Sequence, residues 1–255
     1  MDRKIRVGAV SYLNTKPLLY GIERATVRKD IELIIDYPAS IAAMLLRNDI
    51  DMGLVPVAII PELKEYHING DYCIGSNGDV ASVCLFSETP IDKVEKVLLD
   101  YQSRTSVQLA RVLLKEHWKV SPELIDGGKD FRDHIKGTTA GVVIGDRALE
   151  QRQISPHIYD LAGTWKAFTG LPFVFAAWIS NKPIDPDFIT AFDEANRQGI
   201  AQIDAVVAEN PYPIFSLHDY FTKHLNYNLD QPKRKGLERF LQYLKQPVSQ
   251  GQLTR

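Results

Sequence analysis

A short polar turn near the start of the chain carries the residue types that could bind an oxygen-rich anion. Residues 11–15 (Ser-Tyr-Leu-Asn-Thr) follow an apolar run over residues 5–10, and Pro17 then opens an apolar stretch with helical spacing. In an open α/β sheet, ligands bind where the carboxyl end of a strand meets the start of a helix. Unpaired N–H groups at such a point favour anions. The same residues could equally cap a turn, so the segment predicts either a ligand site or a capped turn.

A second polar turn, residues 100–106, precedes another stretch with helical spacing. Thr105 and Gln108 have the spacing of a capping box. Free N–H groups at Ser106 and Val107, together with three hydroxyls, would suit a carboxylate. Helix capping is the alternative, but capping alone does not need the additional hydroxyls. We therefore predict an anion cradle at this helix start.

Three further turns could carry chemistry, although each has a plain structural explanation. Asp146, after Gly145, could bind a substrate hydroxyl or cap the next helix. Residues 169–172 (Thr-Gly-Leu-Pro) could contact a ligand or form a hinge turn. In residues 78–82, Gly78 would let a ligand approach the backbone, and Ser82 would lie in a strand that enters a cleft.

The elements that must position these turns alternate between strand and helix along the first third of the chain. Strands are predicted at residues 5–10, 31–37 and 51–57, with helices between them, and this alternation indicates a parallel sheet. A second strand–helix series begins after residue 87, and the apolar run 171–179 could return the chain to the first series. We therefore predict an α/β protein of two lobes with a ligand cleft between them. The larger lobe comprises residues 1–86 and 177–255, and the smaller inserted lobe comprises residues 87–176.

The C-terminal region is predicted to be helical. Apolar residues keep helical spacing from Asp187 onward, with Gly199 as a weak point. Two further helices are predicted at residues 213–224 and 232–246.

Composition and charge exclude several function classes. The net charge is -2 and no basic tract stands out, which argues against nucleic acid as a partner. No apolar run approaches the roughly 20 residues of a membrane span, and the N-terminus lacks the pattern of a signal peptide, so we expect a cytoplasmic protein without membrane contacts. Cys73 and Cys84 predict buried free thiols. The scattered histidines predict no metal site, and the lack of a glycine-rich phosphate loop argues against a nucleotide cofactor.

Several of these segments, in this order, are also motifs of a known family. The motifs are residues 11–18 (SYLNTKPL), 53–56 (GLVP), 99–106 (LDYQSRTS), 144–149 (IGDRAL) and 169–176 (TGLPFVFA). Together they resemble the chorismate dehydratase family of the futalosine route to menaquinone, over residues from about 5 to 178. The resemblance implies a type II periplasmic-binding-protein-like fold, which agrees with the two-lobe prediction.

The resemblance also implies a reaction, the dehydration of chorismate to 3-[(1-carboxyvinyl)oxy]benzoate without a cofactor. Chorismate is a small dicarboxylate, so two anion cradles are needed, and residues 11–15 and 103–106 are the candidates. Three alternatives remain open. One is 1,4-dihydroxy-6-naphthoate synthase, a sister enzyme with this fold that is thought to use a histidine. The others are a non-catalytic solute-binding protein and a ligand-sensing module.

Residue roles follow as hypotheses. We expect Asn14 to orient the reacting centre, with support from Ser82, while the enolpyruvyl carboxylate of the substrate takes the proton. Asp146 is the competing base. The expected substrate-binding residues are Ser11, Tyr12, Thr15, Pro56, Gly78, Ser103, Thr105, Ser106, Asp146, Thr169, Gly170 and Leu171.

Overall fold

The computed structural model describes residues 3–245, whose strands form two mixed sheets. In chain order the strands are β1 (Ile5–Val10), β2 (Ile31–Asp36), β3 (Met52–Pro56), β4 (His67–Ser76), β5 (Val83–Ser87), β6 (Lys96–Leu99), β7 (Glu123–Asp126), β8 (Thr139–Ile144), β9 (His157–Asp160), β10 (Phe173–Ser180) and β11 (Asn226–Asn228). The α-helices are α1 (Lys16–Arg24), α2 (Pro38–Leu46), α3 (Thr105–Leu113), α4 (Asp146–Gln151), α5 (Leu161–Thr169), α6 (Pro186–Ile200), α7 (Ile203–Glu209), α8 (Leu217–Asp219) and α9 (Gln231–Lys245).

The first sheet has the strand order β11-β4-β10-β3-β1-β2. Strand β1 pairs in parallel with β2 and β3, which confirms the parallel arrangement predicted for the first third of the chain. Strand β10 runs antiparallel between β3 and β4, so the apolar run near residue 175 does return the chain to this sheet. β3 is buried along its whole length, as an interior strand covered on both faces must be.

The second sheet has the order β7-β6-β8-β5-β9. Strand β6 pairs in parallel with β7 and β8, whereas β5 pairs antiparallel with β8 and β9. The chain thus crosses from the first sheet to the second between Ser76 and Val83, and it returns between Asp160 and Phe173. The α/β class and the two-sheet architecture agree with the sequence prediction.

The predicted lobe boundaries at 86/87 and 176/177 fall inside β5 and β10, so the sheets change a few residues earlier than predicted. The prediction that Ser82 lies in a strand is wrong, because β5 begins only at Val83. Ala81 has a φ of 64°, and the N–H groups of Val80 and Ala81 donate to the Asp160 carboxylate instead of to a neighbouring strand. The bend places the first crossing before Val83. That each sheet belongs to a separate lobe which closes on a ligand stays a prediction.

The C-terminal region agrees with the prediction at Gly199 and departs from it at one other place. The helical stretch is interrupted just after Gly199, since α6 ends at Ile200 and α7 begins at Ile203. Gly199 packs against α1, where an added Cβ would lie 2.0 Å from the Pro17 carbonyl oxygen. Residues 213–216 are not helical, and only α8 and a π-helical turn (Tyr220–His224) form where one longer helix was predicted. The last predicted helix is α9, and Gln246 lies outside the described residues.

Two remaining expectations concern cysteines and membranes. Cys73 and Cys84 are free and buried, as predicted. Within residues 3–245, no helix combines the length and apolar character needed to cross a lipid bilayer.

Candidate active site

A pocket lies between the two sheets and is lined by residues of both. Eight of the predicted site residues line it: Tyr12, Asn14, Thr15, Pro56, Ser82, Ser103, Thr105 and Ser106. Apolar groups supply most of the remaining surface, namely Val10, Pro38, Ile74, Val80, Val83, Ile144, Phe175 and Ala176.

The lining of this cavity is electrically neutral. Among the described residues, no lysine, arginine, histidine, cysteine, aspartate or glutamate lines it, and Tyr12 contributes the one ionisable side chain. Burial raises the pKa of Tyr12 well above its ordinary value, so the phenol stays protonated. In this part of the chain no three His, Cys, Asp or Glu side chains come together as a metal site would require. What the lining offers to a ligand is hydrogen-bonding groups and apolar surface.

Asn14 belongs to a 3-10 turn (Leu13–Thr15) that joins β1 to α1. The Thr15 hydroxyl donates to Asn14 Oδ1 at 3.1 Å, and the Tyr227 hydroxyl donates to the Asn14 carbonyl oxygen at 3.0 Å. These two bonds hold both the side chain and the backbone of Asn14. Because Oδ1 already accepts a hydrogen bond, the amide nitrogen is the group left to donate to a ligand.

Ser82 lies at the end of the first crossing segment, and its position depends on Asp160. Asp160 Oδ2 accepts the N–H of Ala81 at 2.7 Å, and Oδ1 accepts the N–H of Val80 at 3.1 Å. Oδ1 also accepts two N–H groups at the start of α5. Burial raises the pKa of Asp160, while its N–H donors act in the opposite direction. On its other side, Ser82 Oγ accepts a hydrogen bond of 2.6 Å from the Tyr220 hydroxyl.

The start of α3 differs in detail from the predicted capping box. Arg104 is the N-cap residue and makes no side-chain cap bond, so Thr105 does not cap the helix. The Ser106 N–H is not free either, because it donates to Ser103 Oγ at 3.1 Å. Thr105 Oγ1 instead accepts the Ala58 N–H at 3.2 Å, which links α3 to the 3-10 turn after β3. Since both hydroxyl oxygens accept a bond, their protons remain available to donate to an anion.

Tyr12 connects the turn after β1 with the second sheet. Its hydroxyl donates to Gln102 Oε1, which also accepts from Arg147 Nη2 at 2.8 Å. Arg147 is held in turn by the fully buried carboxylate of Asp100, with a shortest N–O distance of 2.8 Å. The Tyr12 ring packs on Gly145, where an added Cβ would lie 2.9 Å from Tyr12 Cδ2. The phenol thus has a fixed position at the cavity wall.

Asp146 was predicted to contact the substrate, but it does not line the cavity. Its carboxylate accepts the Leu13 N–H at 3.1 Å, and its carbonyl oxygen accepts a hydrogen bond from the Tyr212 hydroxyl at 3.2 Å. Burial raises the pKa of Asp146. The carboxylate therefore joins the turn after β1 to the start of α4, and its contact with a substrate stays a prediction.

Ser11 and Gly78 also lie outside the cavity lining. Ser11 is exposed and its N–H donates to the Asp36 carbonyl oxygen. The Gly78 carbonyl oxygen accepts the Ser76 hydroxyl at 2.7 Å, so this residue forms a local turn.

Thr169, Gly170 and Leu171 end α5 and do not line the cavity. Thr169 Oγ1 donates to the Trp165 carbonyl oxygen at 2.8 Å, and the Leu171 N–H donates back to Thr169 Oγ1 at 3.2 Å. Gly170 has a φ of 75°, the left-handed conformation that commonly ends a helix. These residues form the C-terminal end of α5, and their contact with a substrate stays a prediction.

Four residues with a direct role in the geometry were missed by the sequence analysis: Asp160, Tyr212, Tyr220 and Tyr227. An aspartate directly before a helix is an N-cap signal, so Asp160 could have been singled out from its sequence context. The tyrosines have no local signal. Each donates to a residue far away in the chain, and only the fold brings these groups together.

Comparison with known proteins agrees with the family resemblance found in the sequence. The model of a family described as menaquinone biosynthesis matches residues 5–246. Chorismate dehydratase of Thermus thermophilus is 28% identical over 271 aligned residues, covering 95% of this chain and 96% of that protein. Chorismate dehydratase of Campylobacter jejuni is 28% identical over 173 residues, covering 66% of this chain and 64% of that protein.

Solved structures show the fold. The protein AF1704 of Archaeoglobus fulgidus superimposes with a TM-score of 0.75 at 15% identity, covering 94% of this chain and 96% of that chain. The CA3427 gene product of Candida albicans, described as having the generic periplasmic binding protein fold, superimposes with a TM-score of 0.60 at 15% identity, covering 95% of this chain and 90% of that chain. The two-sheet architecture is therefore that of periplasmic binding proteins.

Proposed function

Because the chain belongs to the menaquinone biosynthesis family, we propose that it is a chorismate dehydratase, which converts chorismate to 3-[(1-carboxyvinyl)oxy]benzoate and water. Both curated relatives carry this activity in their names. The observation that carries the proposal is the neutral cavity, which presents hydroxyl and amide donors from both sheets. A dicarboxylate such as chorismate can be bound there by several donors without a metal or nucleotide.

The reaction requires few charged side chains from the protein. The C3–H and C4–O bonds of the ring break, a double bond forms between C3 and C4, and the proton and hydroxide leave as water. The ring carboxylate acidifies the C3 proton through the C1–C2 double bond, and formation of the aromatic ring drives loss of the hydroxyl. What remains for the protein is to orient the ring and to stabilise the charge that develops, for which one well-placed donor is worth about 2.7–4 kcal/mol.

The base is proposed to be the enolpyruvyl carboxylate of the substrate. In the described cavity no ionisable side chain other than the Tyr12 phenol is present, and that phenol already donates to Gln102. Asp146, the competing base, is engaged by the Leu13 N–H outside the lining. The carboxylate takes the C3 proton and delivers it to the departing hydroxyl, so the protein ends each turnover unchanged.

Roles for the lining residues follow from their free donors. The Asn14 amide, in the turn after β1, and the Ser82 hydroxyl, at the end of the first crossing segment, are proposed to face the reacting ring. The hydroxyls of Ser103, Thr105 and Ser106, at the start of α3, hold one carboxylate. The dipole of this nine-residue helix adds roughly 0.3–1 kcal/mol for an anion.

The sister activity has less support. A 1,4-dihydroxy-6-naphthoate synthase is expected to use a histidine, and no histidine is among the described lining residues. We further propose that the enzyme acts in the cytoplasm on the free small-molecule substrate.

The test is to mix the purified protein with chorismate alone and to follow product formation by mass and ultraviolet absorbance. Loss of one water to give a stable aromatic product is expected. Asn14→Ala should abolish most of the turnover. The matched change Asn181→Ala, directly after β10, should leave it unchanged, because the Asn181 side chain bonds to Leu45 and Asn48 and does not line the pocket among the described residues. Tight binding without turnover would instead indicate a sensor or carrier. Full turnover by Asn14→Ala, with loss in Asp146→Asn, would overturn the assignment of the base.

A further inference from the structure

Two tyrosines of the C-terminal segment donate hydrogen bonds to the residues predicted to be catalytic. Tyr220 donates to the Ser82 hydroxyl oxygen, and Tyr227 donates to the Asn14 carbonyl oxygen. We infer that Tyr220 is a positioning residue: it donates to Ser82 Oγ and thereby fixes the serine hydroxyl as a hydrogen-bond donor to an oxygen of the bound substrate. This inference rests on the proposed function, because it assigns Ser82 a direction of donation within that reaction.

The direction of the bond between Tyr220 and Ser82 follows from burial. Both residues are fully buried, and their hydroxyl oxygens lie 2.6 Å apart. Among the residues described, Ser82 is the single acceptor within reach of the Tyr220 hydroxyl. A buried phenol that fails to donate loses free energy, so Tyr220 donates and Ser82 accepts.

Ser82 consequently has a proton that must be donated elsewhere. A serine hydroxyl has one proton and two lone pairs, and the phenol occupies one lone pair. The structure records no acceptor for this proton on any described residue, whereas the backbone N–H and carbonyl of Ser82 bond to Val80 and Gly145. Ser82 lines the cavity, so a ligand oxygen is the acceptor that fits. Donation from Tyr220 also polarises the serine O–H bond and makes it a stronger donor.

Both partners of this bond are held by further contacts. The Asp160 carboxylate fixes the two residues before Ser82. The Tyr220 N–H donates to the Ser216 carbonyl oxygen at 2.9 Å, and His224 Nδ1 lies 3.1 Å from the Asp79 carbonyl oxygen. The phenol and the serine thus meet at a fixed distance, as a positioning contact requires.

A double-mutant cycle tests the inference. Tyr220→Phe removes the donor without changing the shape of the ring, and kcat should fall about tenfold to hundredfold with little change in KM, because the serine bond strengthens as charge develops. In the Ser82→Ala background the same change should lower kcat by less than about twofold. Tyr227→Phe is the matched control, because it removes another buried phenol, whose acceptor is the Asn14 carbonyl. Tyr227→Phe should lower kcat by the same factor with and without the Ser82→Ala substitution.

Two results would overturn the inference. One is a kcat of Tyr220→Phe equal to that of the unsubstituted protein. The other is an equal loss of kcat with and without the Ser82 hydroxyl, which would show that Tyr220 acts through the fold alone. Should Tyr220→Phe fail to fold, 3-fluorotyrosine at position 220 keeps the donor and should keep kcat within about twofold; loss of activity in that correctly folded protein would equally contradict the inference. Failure of the proposed function has a different signature, since the unsubstituted protein would then not turn over chorismate at all.

Discussion

Asp160→Asn is the substitution for which the structure gives the sharpest expectation. The carboxylate uses both oxygens: Oδ2 accepts the Ala81 N–H at 2.7 Å, and Oδ1 accepts the N–H groups of Val80, Ala162 and Gly163, each at 3.1 Å. An asparagine can keep the three bonds to Oδ1 only by turning its NH₂ group toward the Ala81 N–H. Two donors would then face each other inside the protein.

The magnitude follows from that single lost bond. A hydrogen bond to a charged group contributes about 1.5–3 kcal/mol, and the buried N–H of Ala81 would be left without an acceptor. We expect the free energy of unfolding to fall by about 2–3 kcal/mol. Ala81 would also be released from its left-handed conformation, so Ser82 would move, and a displacement of about 1 Å at a reacting group can lower the rate by up to about a hundredfold.

The assay combines denaturant unfolding with chorismate turnover, and Asp185→Asn is its matched control. Asp185 is also an N-cap aspartate, but both of its N–H donors bond to Oδ1, so asparagine can replace it without losing a bond. The control should lose less than about 0.5 kcal/mol and keep its turnover. If Asp160→Asn lost stability but kept the unsubstituted kcat/KM, the reasoning that Asp160 positions Ser82 would be refuted.

Three further predictions follow from other parts of the structure. Gly145→Ala should lower stability by about 1–3 kcal/mol and raise KM, since Gly145 has a φ of 64° and touches the Tyr12 ring; kinetics with an unchanged KM would contradict this. Burial raises the pKa of Asp193 to about 6, so the folded state holds more protons than the unfolded state and stability should fall as pH rises from about 4 to about 6, by roughly 1–2 kcal/mol after allowance for partial exposure. In Asp193→Asn, the free energy of unfolding should depend less on pH over that range. Because the cavity lining is neutral, kcat should stay constant from about pH 6 to about pH 9, and a bell-shaped profile would indicate a protein base.

Among the predicted site residues, those at the ends of strands are ones that the structure does bring to the pocket. Asn14 and Thr15 follow β1, and Pro56 ends β3, its parallel neighbour. The carboxyl ends of parallel strands meet at one edge of a sheet, so the alternating pattern was enough to predict that these residues lie together. The hydroxyls of Ser103, Thr105 and Ser106 were predicted from a different signal, the polar turn at the start of a helical stretch.

The rest depended on contacts that no local pattern contains. Thr169 and Gly170 have the composition of a ligand-binding turn and of a helix end, and only the fold decides between them. Thr105 fits a capping box in sequence, but the Ala58 N–H takes its hydroxyl. The bond between Tyr220 and Ser82 joins residues 138 positions apart, which periodicity cannot reveal.

The place of the tyrosines late in the chain has a consequence for how the protein is made. Every lining residue of the cavity precedes residue 180, whereas Tyr212, Tyr220 and Tyr227 come after it. A ribosome adding about 5–20 residues per second delivers the lining seconds before the groups that orient it. Ser82 and Asn14 therefore receive their tyrosine hydrogen bonds only after the last described lining residue has been made, and the same late segment also supplies strand β11 and core residues such as Phe240.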